Sequence, residues 1–168
     1  MDEPTLNQKT LQKSKNFVFR LLKIRQRSEK EIRDRLKRKQ IPKDVIEKTI
    51  HYFKSLQLID DRQFAKSWIN ARLSKPLGLN RIRLELKQKG IDDAIIEEEF
   101  AHKKENYFEE DILLQLAQKR LERYRNLDQL TAKRRLFEYL VRRGFGINSI
   151  NKIVQSINKT RESYDDGQ

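Results

Sequence analysis

Apolar residues recur along the chain with the spacing of helices. Ile32 and Leu36, for example, lie four positions apart, which places both side chains on one helical face. The same spacing recurs from residue 14 to residue 158 and predicts an all-α fold. The nine predicted helices span residues 14–26, 29–39, 43–57, 61–73, 79–89, 93–106, 109–125, 131–143 and 147–158.

The pattern also repeats. Residues 28–50, shifted forward by fifty positions, fall on residues 78–100 with apolar residues on apolar residues. A further shift of fifty-four positions brings Ile82 onto Leu136. Three short helices bury only part of their apolar surface, so three tandem three-helix repeats should stack into an elongated, curved array. The predicted repeats span 14–57, 58–106 and 107–158, followed by a flexible tail over 159–168.

The ends of the helices carry recognisable signals. Glycine follows the second helix of two repeats, at Gly90 and Gly144, where a left-handed residue ends a helix well. Gln40 stands at the equivalent position of the first repeat and is expected to adopt the same conformation at some cost. Glu31, three residues after Ser28, predicts a capping box. N-caps are predicted at Ser28, Asp60 and Asp92.

Composition narrows the class of protein. The 168 residues include 38 Lys and Arg against 25 Asp and Glu, a net charge of +13, which favours a polyanionic partner such as nucleic acid. Cysteine is absent, which excludes disulfides and thiolate chemistry. No apolar run is long enough to span a bilayer, and the N-terminus lacks the blocks of a signal peptide. A soluble, cytoplasmic protein is expected.

Few residues are suited to catalysis or to metal binding. The two histidines, His51 and His102, lie in different repeats beside apolar or aromatic residues, which favours ordinary packed or half-exposed imidazoles. The five glycines form no phosphate-binding loop. Trp68 falls on an apolar face with Phe64, which favours a core position over base stacking. The sequence therefore predicts a non-enzymatic protein with no catalytic residues, metal site or cofactor.

Basic residues recur at equivalent positions of the repeats. Arg33 and Lys37 are four positions apart, as are Arg83 and Lys87, and such like-charge pairs slightly destabilise an isolated helix. Their recurrence suggests a polyanion along that face, although charges that serve only solubility remain the alternative. The predicted DNA-binding residues, here called the cationic stripe, are Arg33, Lys37, Lys39, Arg83, Lys87, Lys89 and Arg143.

Several motifs resemble those of the RecX family. Residues 58–65, Leu-Ile-Asp-Asp-Arg-Gln-Phe-Ala, together with the segment 78–91, resemble the central signature of that family. Residues 25–28 are similar to its first-repeat motif, and residues 140–145 to its third. Gln40 departs from the usual glycine. The resemblance covers nearly the whole chain.

This resemblance implies a negative regulator of homologous recombination and of the SOS response in DNA repair. Such a protein binds the filament that the RecA recombinase forms on single-stranded DNA. It inhibits strand exchange, ATP hydrolysis and co-protease activity. The implied partners are the RecA filament, single-stranded DNA and, more weakly and without sequence preference, double-stranded DNA. A monomer without membrane contact is expected.

Two other functions remain open from the residues themselves. Helices 29–39 and 43–57, joined by a short turn, have the shape of a helix-turn-helix, the motif of a DNA-binding transcription regulator. Enrichment of one duplex sequence in footprinting would favour that function. A helical array that binds only proteins is the other alternative, and partner binding that does not respond to salt would favour it.

Overall fold

A computed structural model describes residues 6–103 and 107–165, with side-chain environments for 7–103 and 107–156. These residues contain nine α-helices and no strand, which confirms the predicted all-α class. The helices are α1 (Leu6–Ile24), α2 (Glu29–Arg38), α3 (Lys43–Ser55), α4 (Asp61–Leu73), α5 (Leu79–Gln88), α6 (Asp93–Ala101), α7 (Glu109–Glu122), α8 (Gln129–Arg143) and α9 (Ile147–Asp165).

The first and last helices are longer than predicted. α1 begins at Leu6 rather than at residue 14, and α9 continues to Asp165 rather than ending at 158. Both extensions are mainly polar, so apolar spacing did not reveal them, and neither contains a proline or glycine that would stop a helix. Residues 159–165 are therefore helical, whereas residues 166–168 of the predicted tail lie outside the described part of the chain.

The chain packs into two compact units. The first unit comprises the described residues of Met1–Trp68 and Leu86–Phe100. The second unit comprises the described residues of Ile69–Glu85 and Ala101–Gln168. The middle repeat contributes residues to both units. The core of the first unit contains Val18, Leu21, Ile32, Leu36, Ile46, Ile50, Phe53 and Ile59. The core of the second contains Leu113, Ala117, Leu136, Leu140, Phe145 and Ile150.

Equivalent apolar positions of the three repeats are buried alike. Ile32 and Leu36 in α2 are fully buried, and so are their equivalents in α5 and α8. Burial of each such side chain stabilises the fold by about 1.5–3 kcal/mol relative to exposure. The second helix of every repeat therefore holds the same place in its core, and we refer to α2, α5 and α8 as the middle helices.

The three middle helices end in the same way. Gln40 has a φ of 56°, Gly90 of 80° and Gly144 of 87°, so all three adopt the left-handed conformation. The N–H of Gln40 donates to the carbonyl of Lys37 at 2.8 Å, and the next N–H reaches the carbonyl of Leu36 at 3.2 Å. The same pair of bonds ends α5 and α8, which is the Schellman arrangement. The conformation predicted for Gln40 is confirmed.

The predicted N-caps are also confirmed. The Ser28 hydroxyl accepts the N–H of Glu31, and the Glu31 carboxylate accepts the N–H of Ser28, which completes the capping box. Asp60 accepts two amides of α4, and Asp92 accepts the N–H of Ala94 at 2.8 Å. These bonds satisfy first-turn amides that a helix leaves without internal acceptors.

Candidate functional site

In the first unit, the C-terminal end of α5 meets the N-terminal end of α2. The hydroxyl of Ser28 donates to the carbonyl of Lys89 at 2.7 Å, and Lys30 Nζ donates to the carbonyl of Gln88 at 2.9 Å. Lys89 Nζ forms an ion pair with Glu31 at 2.9 Å. We call this contact the first joint. It places the negative end of one helix dipole against the positive end of the next, a favourable arrangement.

Two further groups complete the first joint. The N–H of Glu29, the first residue of α2, donates to Asp61 Oδ1 at 2.8 Å. Burial raises the pKa of Asp61 despite that hydrogen bond. Gly90 lies against Lys30, whose Cδ would be only 2.6 Å from a Cβ at that glycine. Gly90 therefore meets two requirements at once, a left-handed backbone and a close approach.

The second unit contains an equivalent joint between the end of α8 and the start of α5. The N–H of Gly78 donates to the carbonyl of Arg143 at 2.9 Å, and that of Asn80 donates to the carbonyl of Gly144 at 3.2 Å. The N–H of Leu79, the first residue of α5, donates to a Glu109 carboxylate oxygen at 2.9 Å.

The two joints correspond position by position. Gly78 follows Ser28 by fifty positions, the shift that aligns the first two repeats, and Arg143 follows Lys89 by the fifty-four of the second pair. Asp61 opens α4 as Glu109 opens α7, and each caps the preceding middle helix. In each unit the chain therefore joins two middle helices end to end.

Strong electrostatics hold the first joint together. Burial acts to raise the pKa of Glu31, but hydrogen bonds from Arg25 and Lys89 outweigh it and lower the pKa to about 2. Lys89 Nζ also lies 4.2 Å from the centre of the Trp68 ring, and that ring stacks on Phe64. Trp68 lies on the same face as Phe64, as predicted, but it is only half-buried and so is not a full core residue.

The ammonium of Lys89 thus has partners within the unit. Its side chain is only 19% exposed and is held by a carboxylate and an indole ring. Arg143, its equivalent in the third repeat, lies over the Tyr139 ring at 5.2 Å, and its carbonyl belongs to the second joint. These two members of the cationic stripe have structural roles at the joints.

Arg33 is neutralised by carboxylates of its own unit. Its guanidinium contacts Glu29 at 2.9 Å and also pairs with Glu47 of α3. The hydrogen bond to Glu47, followed by that to Glu29, raises the pKa of Arg33. The repulsion inferred between Arg33 and Lys37 is therefore offset inside the protein, so their spacing needs no external polyanion.

The other members of the stripe differ in their surroundings. Lys37 is exposed and makes no ion pair within the part of the chain whose side chains are described. Lys87 pairs with Asp93 at 2.9 Å, but both side chains are at least half exposed, so the pair is worth little in water. Lys39 is exposed, with Nζ 4.8 Å from the centre of the Phe17 ring. Arg83, in the second unit, is half-buried.

A groove that shares only Lys39 with the cationic stripe lies at the C-terminal end of α2. It has a volume of about 330 Å³. Its lining residues are Lys13, Ser14, Asn16, Phe17, Arg20, Leu36, Lys39 and Ile41. We call it the α1–α2 groove. The available signal was the dense basic segment 20–43, with eleven basic and three acidic residues. Five of the eight lining residues belong to α1, and of these only Lys13 lies in the helical extension that was not predicted.

The described residues contain neither a metal-binding cluster nor a helix suited to a membrane. Among them, no group of three or more His, Cys, Asp or Glu side chains is placed to hold a metal ion. His51 and His102 are both exposed. In that same part of the chain, no helix has the length and apolar character needed to cross a membrane.

Repeated three-helix motifs and end-to-end joints define a tandem helical-repeat protein. Family models agree with this class and narrow it. The first, second and third three-helix domains of RecX match residues 15–53, 60–98 and 109–154, in that order.

Individual relatives give the same result. The chain is 32% identical to the regulatory protein RecX of Clostridium botulinum over 152 residues, covering 89% of this chain and 70% of that one. It is 34% identical to that of Prosthecochloris aestuarii over 146 residues, covering 86% and 93%. The crystal structure of RecX from Lactobacillus salivarius superposes with a TM-score of 0.74 at 26% identity, covering 89% of this chain and 97% of that one. The chain belongs to the RecX family of regulatory proteins, which confirms the resemblance seen in its motifs.

Proposed function

We propose that this protein acts in the cytoplasm as a monomer that binds the RecA–single-stranded-DNA filament. Binding inhibits strand exchange, ATP hydrolysis and co-protease activity, and thereby restrains recombination and the SOS response. The observation that carries this proposal is the match of all three RecX domains in their order along the chain. No catalysis is required, because a protein that prefers one state of a filament shifts the assembly equilibrium by mass action.

The direct test adds the purified protein to preformed RecA filaments on single-stranded DNA. DNA-dependent ATP hydrolysis should fall with dose, and a fall at substoichiometric amounts would indicate capping or destabilisation of the filament. Hydrolysis that stays constant up to equimolar protein would contradict the proposal. A parallel reaction with heat-denatured protein controls for non-specific competition by basic chains.

For the DNA contact itself, we propose Lys37 and Lys87, two exposed members of the cationic stripe in the first unit. Lys37 and Lys87 occupy equivalent positions of two repeats, and both side chains are exposed. A phosphate can displace the weak pair between Lys87 and Asp93, whereas the pairs of Arg33 are more enclosed. Contacts of this kind position a nucleic acid without reading its sequence.

The double variant Lys37→Glu/Lys87→Glu tests this contact. Its affinity for single-stranded DNA should fall, and the slope of log affinity against log salt should decrease by about 0.7 for each phosphate that the protein no longer neutralises. Lys119→Glu/Lys152→Glu changes the net charge equally at exposed positions of α7 and α9 and serves as the control. Equal falls in affinity for the two double variants would assign binding to overall charge and remove the proposed contact.

One observation supports the helix-turn-helix alternative. α2 ends at Arg38 and α3 begins at Lys43, so a short turn does join them. However, the N-terminal end of α2 is occupied by the first joint, and similar units occur three times. Selection from random duplex pools separates the two functions, because an enriched sequence would favour the transcription regulator and featureless binding would favour the filament.

A further inference from the structure

Of the three middle helices, two insert their C-terminal ends into a joint. The end of α5 receives the start of α2, and the end of α8 receives the start of α5. α2 belongs to the first repeat, and among the described residues no middle helix precedes it to meet its end. Lys39 and Gln40 are exposed there, at the positions that Lys89 and Gly90 occupy in the first joint.

The α1–α2 groove lies at this third end, the C-terminal end of α2, and three of its lining residues correspond to residues at the end of α5, which receives α2 in the first joint. Leu36 and Ile41 correspond to Leu86 and Ile91 by the fifty-position shift of the repeat. Lys39 lies over Phe17 in α1 as Lys89 lies over Trp68 and Phe64 in α4. The groove therefore has the composition and position of a joint whose incoming helix is not supplied by the described residues.

Charge sets the third end apart from the two joints. Asp61 and Glu109 supply carboxylates that cap the incoming helix in the two joints. The described residues that line the groove instead bring three cations, Lys13, Arg20 and Lys39, and no acid. Lys13 and Arg20 form no ion pair with any residue whose side chain is described. An incoming helix must therefore bring its own carboxylates, and acids favour the first turn of a helix.

We propose that the α1–α2 groove binds the N-terminal turn of an acidic helix from a partner protein. The first joint supplies the template, in which the N-cap Ser28 hydroxyl bonds to the Lys89 carbonyl and the third helical residue, Glu31, pairs with Lys89 Nζ. By analogy, the partner carries Ser or Thr at the N-cap and Glu at the third helical position, aimed at Lys39. The inference depends neither on DNA contact nor on the identity of the regulated filament.

Gln40 adds a specific requirement. In the first joint, the second helical residue of the incoming helix is Lys30, and its chain lies where a Cβ at Gly90 would be. Gln40 does have a Cβ, with the same left-handed backbone. Lys30 Cβ itself would lie only 2.7 Å from a Cβ added at Gly90, so the second helical residue of the partner must be Gly, and any residue with a Cβ is excluded.

A helical peptide provides the probe. It is stapled near its C-terminus, about 15 residues long so that a helix can persist, and begins Ser-Glu-Gly-Glu. Binding to the full chain is followed by NMR through the amide shifts of Lys39, Gln40 and Ile41. Replacing the Gly with Ala or Lys should abolish binding, and replacing the second Glu with Gln should weaken it about three- to fivefold, the value of one ion pair at a partly exposed site.

A variant of the chain reverses this preference. Gln40→Gly restores the residue found in the other two joints, so this variant should bind the lysine-containing peptide that the native chain rejects. Lys39→Gln should weaken binding of the glycine-containing peptide, whereas Lys119→Gln should not. Absence of shifts at the groove with millimolar peptide, or acceptance of both peptides by both chains, would overturn the proposal. Neither result would bear on inhibition of ATP hydrolysis, which tests the proposed function separately.

Discussion

The two joints place the same helix ends together but build the contact from different groups. In the first joint, side chains make most of the bonds, through the Ser28 hydroxyl, the Lys30 ammonium and the Glu31–Lys89 pair. In the second joint, backbone amides of Gly78 and Asn80 bond directly to carbonyls at the end of α8. Side chains can move to relieve a clash, but a backbone cannot. The second joint should therefore be the less tolerant of substitution.

The largest effect is expected at Gly144. A Cβ there would overlap the backbone nitrogen of Arg81, and the φ of 87° already disfavours a side chain. Gly144→Ala should lower the free energy of unfolding by about 3 kcal/mol or more, which urea denaturation measures directly. Gly146→Ala is the control, because its Cβ would meet only Ser149 Oγ at 3.9 Å. Similar costs for both substitutions would mean that the close backbone approach is absent.

Glu31, which pairs with Arg25 and, across the first joint, with Lys89, makes the stability of the fold depend on pH. Glu31 has a pKa of about 2 in the folded protein, against 4.5 as its ordinary value. A lowered pKa stabilises the fold above the unfolded value, and this contribution, on the order of 2–3 kcal/mol, is lost as pH falls from about 4.5 towards 2. Glu31→Gln should remove this part of the acid sensitivity in denaturation curves recorded across that range. If the variant loses stability in acid as steeply as the native protein, the ion pairs of Glu31 do not make this contribution.

Gly90→Ala should cost less than Gly144→Ala. Its Cβ would meet the side chain of Lys30, at 2.6 Å from Cδ and 2.7 Å from Cβ, rather than a backbone atom, although its φ of 80° remains unfavourable. A decrease of about 1–2 kcal/mol in the free energy of unfolding is expected in urea denaturation. Removing the clashing side chain with Lys30→Gly should recover part of it, so that Gly90→Ala costs less in the Lys30→Gly background than in the native chain. Equal costs at the two glycines would contradict the contrast between the joints.

The smallest effect on the free energy of unfolding is expected at the C-terminal end of α2. Gln40 adopts a φ of 56°, which glycine tolerates better than glutamine. Gln40→Gly should therefore raise the free energy of unfolding by about 0.4–1 kcal/mol, because relief of the left-handed strain outweighs the greater backbone freedom that glycine gives the unfolded chain. A decrease in urea denaturation would show that the Gln40 side chain makes a contribution at this end that outweighs the strain.

Local signals carried much of the fold prediction. The left-handed conformation of Gln40, the capping box at Ser28 and the repeated apolar pairs follow from neighbours within a few positions. α4 begins at the predicted residue because Asp60 accepts amides of its first turn, and it also ends at the predicted Leu73. The extension of α1 to Leu6 escaped prediction because a solvated helix needs no apolar face.

Long-range contacts could not be predicted in the same way. Ser28 and Lys89 are 61 positions apart, and nothing in either segment indicates that their helices meet end to end. The sequence suggested that Arg33 could bind phosphate, but in the structure Glu47 of α3 pairs with it. The α1–α2 groove depends on how α1 packs beside the end of α2, which apolar spacing does not specify. Which charges are exposed is thus a property of packing.

Hydrogen exchange at the starts of the middle helices tests the joints most directly. First-turn amides normally lack acceptors and exchange quickly, but those of Gly78 and Asn80 donate across the second joint. Each should exchange at least about tenfold more slowly than the amide of Asp44 in α3, whose N-cap Pro42 offers no side-chain acceptor. Exchange of the Gly78 and Asn80 amides as fast as that of Asp44 would contradict end-to-end joining of the middle helices.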